Sequence, residues 1–237
     1  MQFTPATSLP GLNHRFSHHG LDYHIAKPFG PNILETQLPN DILEKMLALS
    51  DSLLTDPTRS SYGANLVGQI REEPQIPIDM LRQFGVFEYI HGLFAEYILA
   101  STFCDAGAEY KASVEAFQQS DDYQNPVYVN LEAAWLVSQQ SGEYNPIHNH
   151  SLSTLSSVMY LKVPEQLQDS GIEGKADVDG HIEWVYQSAD QMQNSTVRVK
   201  PVAGRFYIFP ASLLHLVYPF TNTHERRSVS INASHRL

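Results

Sequence analysis

From Val127 to the C-terminus the chain breaks into short runs rich in β-branched and aromatic residues: "VYVNLEAAWLVSQQ", "TLSSVMYLKV", "HIEWVYQ", "STVRVK", "RFYIF", "LHLVYPF" and "RRSVSINAS". Turn-forming residues separate them. Runs of this length and spacing read as strands, and so many of them restrict this half to a β-sandwich or jelly roll. With 14 prolines, 13 glycines and only 17% charged residues, the composition suits strands and turns better than a helical bundle.

The first half reads differently. "LPNDILEKMLALSDSLL" places Ile42, Leu43, Met46, Leu47 and Leu49 at helical spacing, with Asn40 or Asp41 as the cap, and predicts a helix over 41–54. The loop-like "TDPTRSSYGANLVGQIREEPQIP" leaves room for one short strand near Leu66–Ile70. Residues 78–103 predict a long helix broken near Gly85, and "AEYKASVEAFQQ" predicts another; "HRFSHHG" reads as a solvated N-terminal loop. We therefore expect a mainly β protein with α elements. It is a single domain over 1–237, with a mostly helical N-terminal support region (1–125) flanking a β core (126–237).

A chain of 237 residues buries roughly 70–75% of its unfolded surface in one fold. Its net charge of −11, without clusters of Lys and Arg, speaks against nucleic acid or an anionic membrane as partner. One cysteine excludes an intrachain disulfide and a Cys-rich zinc site, and suits a reducing cytoplasm. Neither a signal peptide nor 18 consecutive apolar residues is visible, so a soluble, unexported protein is expected.

Two stretches carry chemistry. In "YNPIHNH", at the mouth of the strand read from "SLSTLSSVMYLKV", His148 and His150 are two residues apart, and in extended chain such residues project to the same side, a posture suited to a metal ion. In "RRSVSIN" the same rule puts Arg226, Ser228, Ser230 and Asn232 on one face and Arg227, Val229 and Ile231 on the other. An arginine pointing into a β core needs an anionic partner, and a ligand carboxylate engages its two-pronged fork well. Register decides whether Arg226 or Arg227 takes that role, and the Arg226-x-Ser228 spacing favours the former.

Together with His215, which lies 65 residues beyond His150 and 11 before Arg226, these stretches resemble the 2-oxoglutarate and Fe(II)-dependent oxygenases. Those enzymes carry His-x-Asp/Glu, a distal His and Arg-x-Ser on a double-stranded β-helix, a form of jelly roll. More narrowly, "EYNPIHNHSLSTLSSVMYLKVP", "VKPVAGRFYIFPASLLHLVYP" and "RRSVSIN" resemble an oxygenase family of marine phages and bacteria in which histidine stands at the Asp position. The resemblance covers about residues 130–234. It implies His148, His150 and His215 as metal ligands and catalytic centre, and Arg226 with Ser228 as the clamp on the distal carboxylate of 2-oxoglutarate. Tyr160 and Asn232 are further candidates for hydrogen bonds to that co-substrate. The implied cofactor is Fe(II), the partners are 2-oxoglutarate, dioxygen and a substrate that the sequence does not name, and a homodimer is the default state.

The departure is His150, which replaces an anionic ligand with a neutral one that still suits iron. Two other readings stay open at this point. A cupin-like metal enzyme shares the architecture and would use His148, His150 and His215, but Thr154 and Leu155 stand where its glutamate belongs. A non-catalytic jelly roll braced by a metal is the second.

Overall fold

The computed structural model describes residues 12–18, 20–28, 30–103, 128–164, 167, 178–186, 195–221 and 223–236. Its frame is a seven-stranded antiparallel sheet facing a four-stranded one. The strands are β1 (Leu12–His18), β2 (Leu21–Lys27), β3 (Ile33–Gln37), β4 (Tyr128–Gln139), β5 (Asn145–His148), β6 (Leu155–Lys162), β7 (Ile182–Val185), β8 (Thr196–Val199), β9 (Arg205–Pro210), β10 (Leu214–Val217) and β11 (Arg226–Arg236). The large sheet runs β1-β2-β3-β9-β6-β11-β4 and the small one β5-β10-β7-β8, the double-stranded β-helix expected for the C-terminal half.

Two apolar clusters hold these layers. One, including Val158, Tyr160, Trp184, Tyr207 and Phe209, fills the space between the sheets. The other lies on the outer face of the large sheet, where Met159, Phe206, Val229 and Ile231 meet the helices. Neighbouring residues Met159 and Tyr160 thus serve different cores, as the period-2 geometry of β6 demands. Helix α1 (Asn40–Thr55) buries Ile42, Met46, Leu49 and Leu53, one stripe at helical spacing. It enters through Pro39 without a side-chain cap, so neither Asn40 nor Asp41 caps it. The predicted long helix is two, α2 (Ile78–Gln83) and α3 (Phe87–Phe103), separated at Gly85, whose φ of 67° is the left-handed conformation that glycine adopts without strain.

The N-terminal region differs from expectation in one respect. Three strands precede α1, and β3 pairs with β9, extending the core sheet with residues that the helical reading passed over. Residues 14–18 of "HRFSHHG" belong to β1 of the β1–β2 hairpin rather than to a solvated loop. No strand forms at Leu66–Ile70, where a 3-10 turn (Gly63–Asn65) leads to a single bridge between Gln69 and Tyr144. The helix predicted from "AEYKASVEAFQQ" lies outside the described residues. Among the described residues no helix is long and apolar enough to cross a membrane.

Candidate functional site

The site forms where the small sheet closes over the large one. β10 pairs with β5 so that His215 stands opposite His148, and the pairing shifts register immediately afterwards. Such irregularities aim side chains that a regular ladder would hold in line. His148 ends β5, and His150 sits beyond it in the connection to β6, pinned by its amide donating to the Ala211 carbonyl at 2.9 Å. The histidine pair therefore does not open β6, as the sequence suggested. The alternation survives nonetheless: His148 and His150 are half-buried, while Ile147 and Asn149 are exposed.

The three rings converge. Centroids of His148 and His215 are 4.2 Å apart, those of His150 lie 5.2 Å from each, and one ring nitrogen from each residue lies within 4.8 Å of the others. His148 Nδ1 donates to the Pro146 carbonyl at 2.8 Å and His215 Nδ1 to the Leu213 carbonyl at 2.9 Å. With Nδ1 carrying the proton, Nε2 keeps its lone pair free. Burial holds all three below the usual histidine range, His150 at about 4, so the imidazoles are neutral at neutral pH. Three neutral nitrogen donors in a partly buried cluster fit a first-row metal ion such as Fe(II).

Asn232 lies next to His150, its Nδ2 3.3 Å from the ring Nδ1, while its own Oδ1 is buried without a partner. Turning the amide over brings Oδ1 against Nδ1–H, which satisfies the orphaned oxygen and leaves His150 Nε2 free like the other two. Asn232 thus stands beside His150.

Arg226 lines the same pocket as the histidines. It is 1% exposed; Nη1 donates to Gln139 Oε1 at 2.6 Å, and Nε and Nη2 have no partner. Its guanidinium carbon lies 4.8 Å from the centre of the Tyr160 ring, whose buried hydroxyl makes no well-aligned hydrogen bond although its oxygen helps to hold the cation. Burial pulls the guanidinium below its ordinary range and pushes the phenol above its own. A buried cation with two idle donors is strongly unfavourable unless a bound anion engages them. Ser228 and Ser230 share this face and line the pocket with Arg226, whereas Arg227 turns to the opposite side. There it grips Glu225 through Nε and Nη2, both at 2.7 Å, and reaches Ser50 and Asp51 on α1. Four of its five N–H donors are thus taken, on the side away from the pocket.

A pocket open to solvent joins the histidines to Arg226. Val158, Ile182, Phe209 and Val217 supply apolar wall, as does Trp135, while Trp184 packs in the core. Glu73 and Asn145 also line it, and neither was picked out from the sequence. Nothing in "REEPQIP" marks Glu73 as other than a solvated charge.

Residues 133–232 match the family described as "Putative 2OG-Fe(II) oxygenase". That segment, 100 of the chain's 237 residues, is similar to the 2OG-Fe(II) oxygenases. This class of enzyme takes Fe(II) as cofactor and 2-oxoglutarate as co-substrate, which suits the donor set and the orphaned arginine. Solved structures share the fold. A prolyl-4-hydroxylase from Pseudomonas putida is 18% identical with a TM-score of 0.50, covering 86% of this chain and 93% of its own. A Trichoplax adhaerens prolyl hydroxylase, solved with a fragment of a hypoxia-inducible-factor degradation domain, is 12% identical with a TM-score of 0.51, covering 85% and 83%. The epimerase SnoN, solved with Fe3+, alpha-ketoglutarate and nogalamycin RO, is 14% identical with a TM-score of 0.50, covering 85% and 78%. No curated protein matches the chain.

Proposed function

We propose that the oxygenase core hydroxylates a C–H bond of its substrate using a three-histidine iron centre. His148, His150 and His215 hold the metal, and Arg226 holds the distal carboxylate of 2-oxoglutarate. The observation that carries this reading is the placement, in one pocket, of three convergent neutral imidazoles and a fully buried arginine with two unused donors. When bound, Fe(II) and 2-oxoglutarate supply an oxidation in which dioxygen converts the 2-oxo acid to succinate and CO2 and one oxygen atom enters the substrate C–H bond.

The chain's own residues prepare that chemistry. The Pro146 and Leu213 carbonyls fix the tautomers of His148 and His215, and the Asn232 amide orients His150. Asn232 is thereby a positioning residue rather than a co-substrate contact. Gln139 locks one prong of Arg226 and leaves Nε and Nη2 to engage the carboxylate. The Tyr160 hydroxyl and Ser228 supply further donors beside it, and the apolar wall keeps water from competing. Cys104, alone in the chain, supports a reducing, cytoplasmic setting.

Anaerobic titration of the apo-protein with Fe(II) and 2-oxoglutarate tests this reading. We expect the visible charge-transfer band of the chelate, and succinate once air is admitted. Metal binding without the band, even at saturating 2-oxoglutarate, would return the site to a cupin-like or purely structural role.

A further inference from the structure

One wall of the pocket has no task in binding iron or 2-oxoglutarate. Residues 72–76 run beside the free edge of β4, held by Ser138 N to Glu72 O (3.0 Å), Leu136 N to Pro74 O (2.9 Å) and Ile76 N to Ala134 O (2.8 Å). This pairing takes "EEPQI", which reads as solvated loop, and turns Glu73 into the pocket.

Glu73 is 3% exposed and its Oε1 has no hydrogen-bond partner. Oε1 lies against Gly68, where a Cβ would come within 3.2 Å of it and 2.2 Å of Asn145 Oδ1. Only glycine lets the carboxyl and the amide crowd this spot together. Glu143 offers no relief, because it is itself an acceptor, taking the backbone amides of Arg71 and Gln140. Burial, reinforced by the negative charge of Glu143, raises the Glu73 carboxyl to about 7. An acceptor buried without a donor costs free energy until a ligand provides one.

The surroundings select the ligand. Trp135, stacked on Tyr62 with centroids 5.0 Å apart, lines the same pocket as Glu73. An aromatic wall beside a desolvated carboxyl attracts ammonium or guanidinium groups and repels anions. Among the residues lining the pocket, the other charged group outside the histidine cluster is Arg226, which the co-substrate engages.

We infer that Glu73 anchors the hydroxylated substrate, and that this substrate carries a protonated amine or guanidine close to the carbon that is oxidised. The inference rests on the oxygenase site described above. It goes further by assigning a substrate class to the Glu73 wall of that pocket.

The test is anaerobic calorimetric titration of the Fe(II)- and 2-oxoglutarate-loaded protein with n-butylammonium, with n-butyrate as the control anion. Wild type is expected to bind n-butylammonium in the millimolar range and n-butyrate not at all. The isosteric Glu73→Gln should bind the cation at least tenfold more weakly while still forming the charge-transfer band, which shows that the variant is folded. With the band intact, equal affinities in the two proteins, preference for n-butyrate, or no binding of the cation by wild type would each overturn the anchor alone. A Glu73→Gln protein that has lost its iron affinity would overturn it too, making Glu73 the counter-charge for a centre with neutral ligands. Absence of the band in wild type overturns the oxygenase site, and the anchor with it.

Discussion

The two faces of the large sheet obey opposite rules. On the outer face, Val229 and Ile231 pack against the helices, and Arg227 uses Nε, Nη1 and Nη2 in bonds to Glu225, Ser50 and Asp51. On the inner face, one residue away, Arg226 keeps two donors idle and Tyr160 a hydroxyl without a well-aligned hydrogen bond, both fully buried. A polar group buried for stability finds its partner within the chain. One buried for binding leaves the partner's place to a ligand. Under the proposed function the outer face is structural and the inner face functional, although the same strands build both.

The largest effect that would break this comparison falls on the histidines. His148→Ala or His215→Ala should abolish the charge-transfer band and reduce succinate formation below detection; a variant that keeps both removes the metal centre from the inner face. The paired arginines give the next effect. Arg226→Ala should weaken 2-oxoglutarate binding by roughly 30-fold or more, the about 2–5 kcal/mol typical of truncating a buried, hydrogen-bonded charge partner. Its melting temperature should change little. Arg227→Ala should do the reverse, losing about 1–3 kcal/mol of stability, since Asp51 keeps only Lys162 and the partly buried Glu225 only Ser138, with 2-oxoglutarate affinity within a factor of three. Denaturant melts and co-substrate titrations on both variants check the exchange of roles, and similar behaviour in the two would dissolve the distinction.

Asn232→Ala should lower iron affinity by roughly 10-fold or more, as expected for a group that orients a ligand, and leave the affinity of the iron-loaded protein for 2-oxoglutarate nearly unchanged. A shift in 2-oxoglutarate affinity alone would move Asn232 back to the co-substrate end. The smallest effect is on stability. The folded-state pKa of Glu73 lies near 7, above the ordinary 4.5 of an unfolded chain, so the protein loses stability as pH rises between those values and the carboxyl ionises in place. Glu73→Gln should therefore melt like wild type at pH 4 and exceed it at pH 8 by up to about 3 kcal/mol. A difference independent of pH would mean that Glu73 is not desolvated.

Much of this was legible in the chain. The alternation in "RRSVSIN" separated Arg226 from Arg227 before any coordinates, because strand geometry leaves a side chain only two directions. The pairing Ser228–Tyr160 then set which direction faces the pocket. The alternation Leu21, Tyr23, Ile25 against Asp22 and His24 was equally present in β2, but the polar "HRFSHHG" before it masked the hairpin. β5 was illegible for another reason: four residues including a proline carry too little pattern to announce a strand, and it exists because β10 lies beside it.

The sequence by itself determined the β character of the C-terminal half and the face that Arg226 shares with Ser228, since local alternation suffices for both, and its resemblance to an oxygenase family brought His215 together with His148 and His150. Only the tertiary structure decided that Asn232 lies beside His150, that Arg227 is shared between Glu225 and α1, and that Glu73 is buried against the pocket. Those three facts depend on which distant segment lies alongside. That is a property of packing between elements far apart in the chain, which no local pattern encodes.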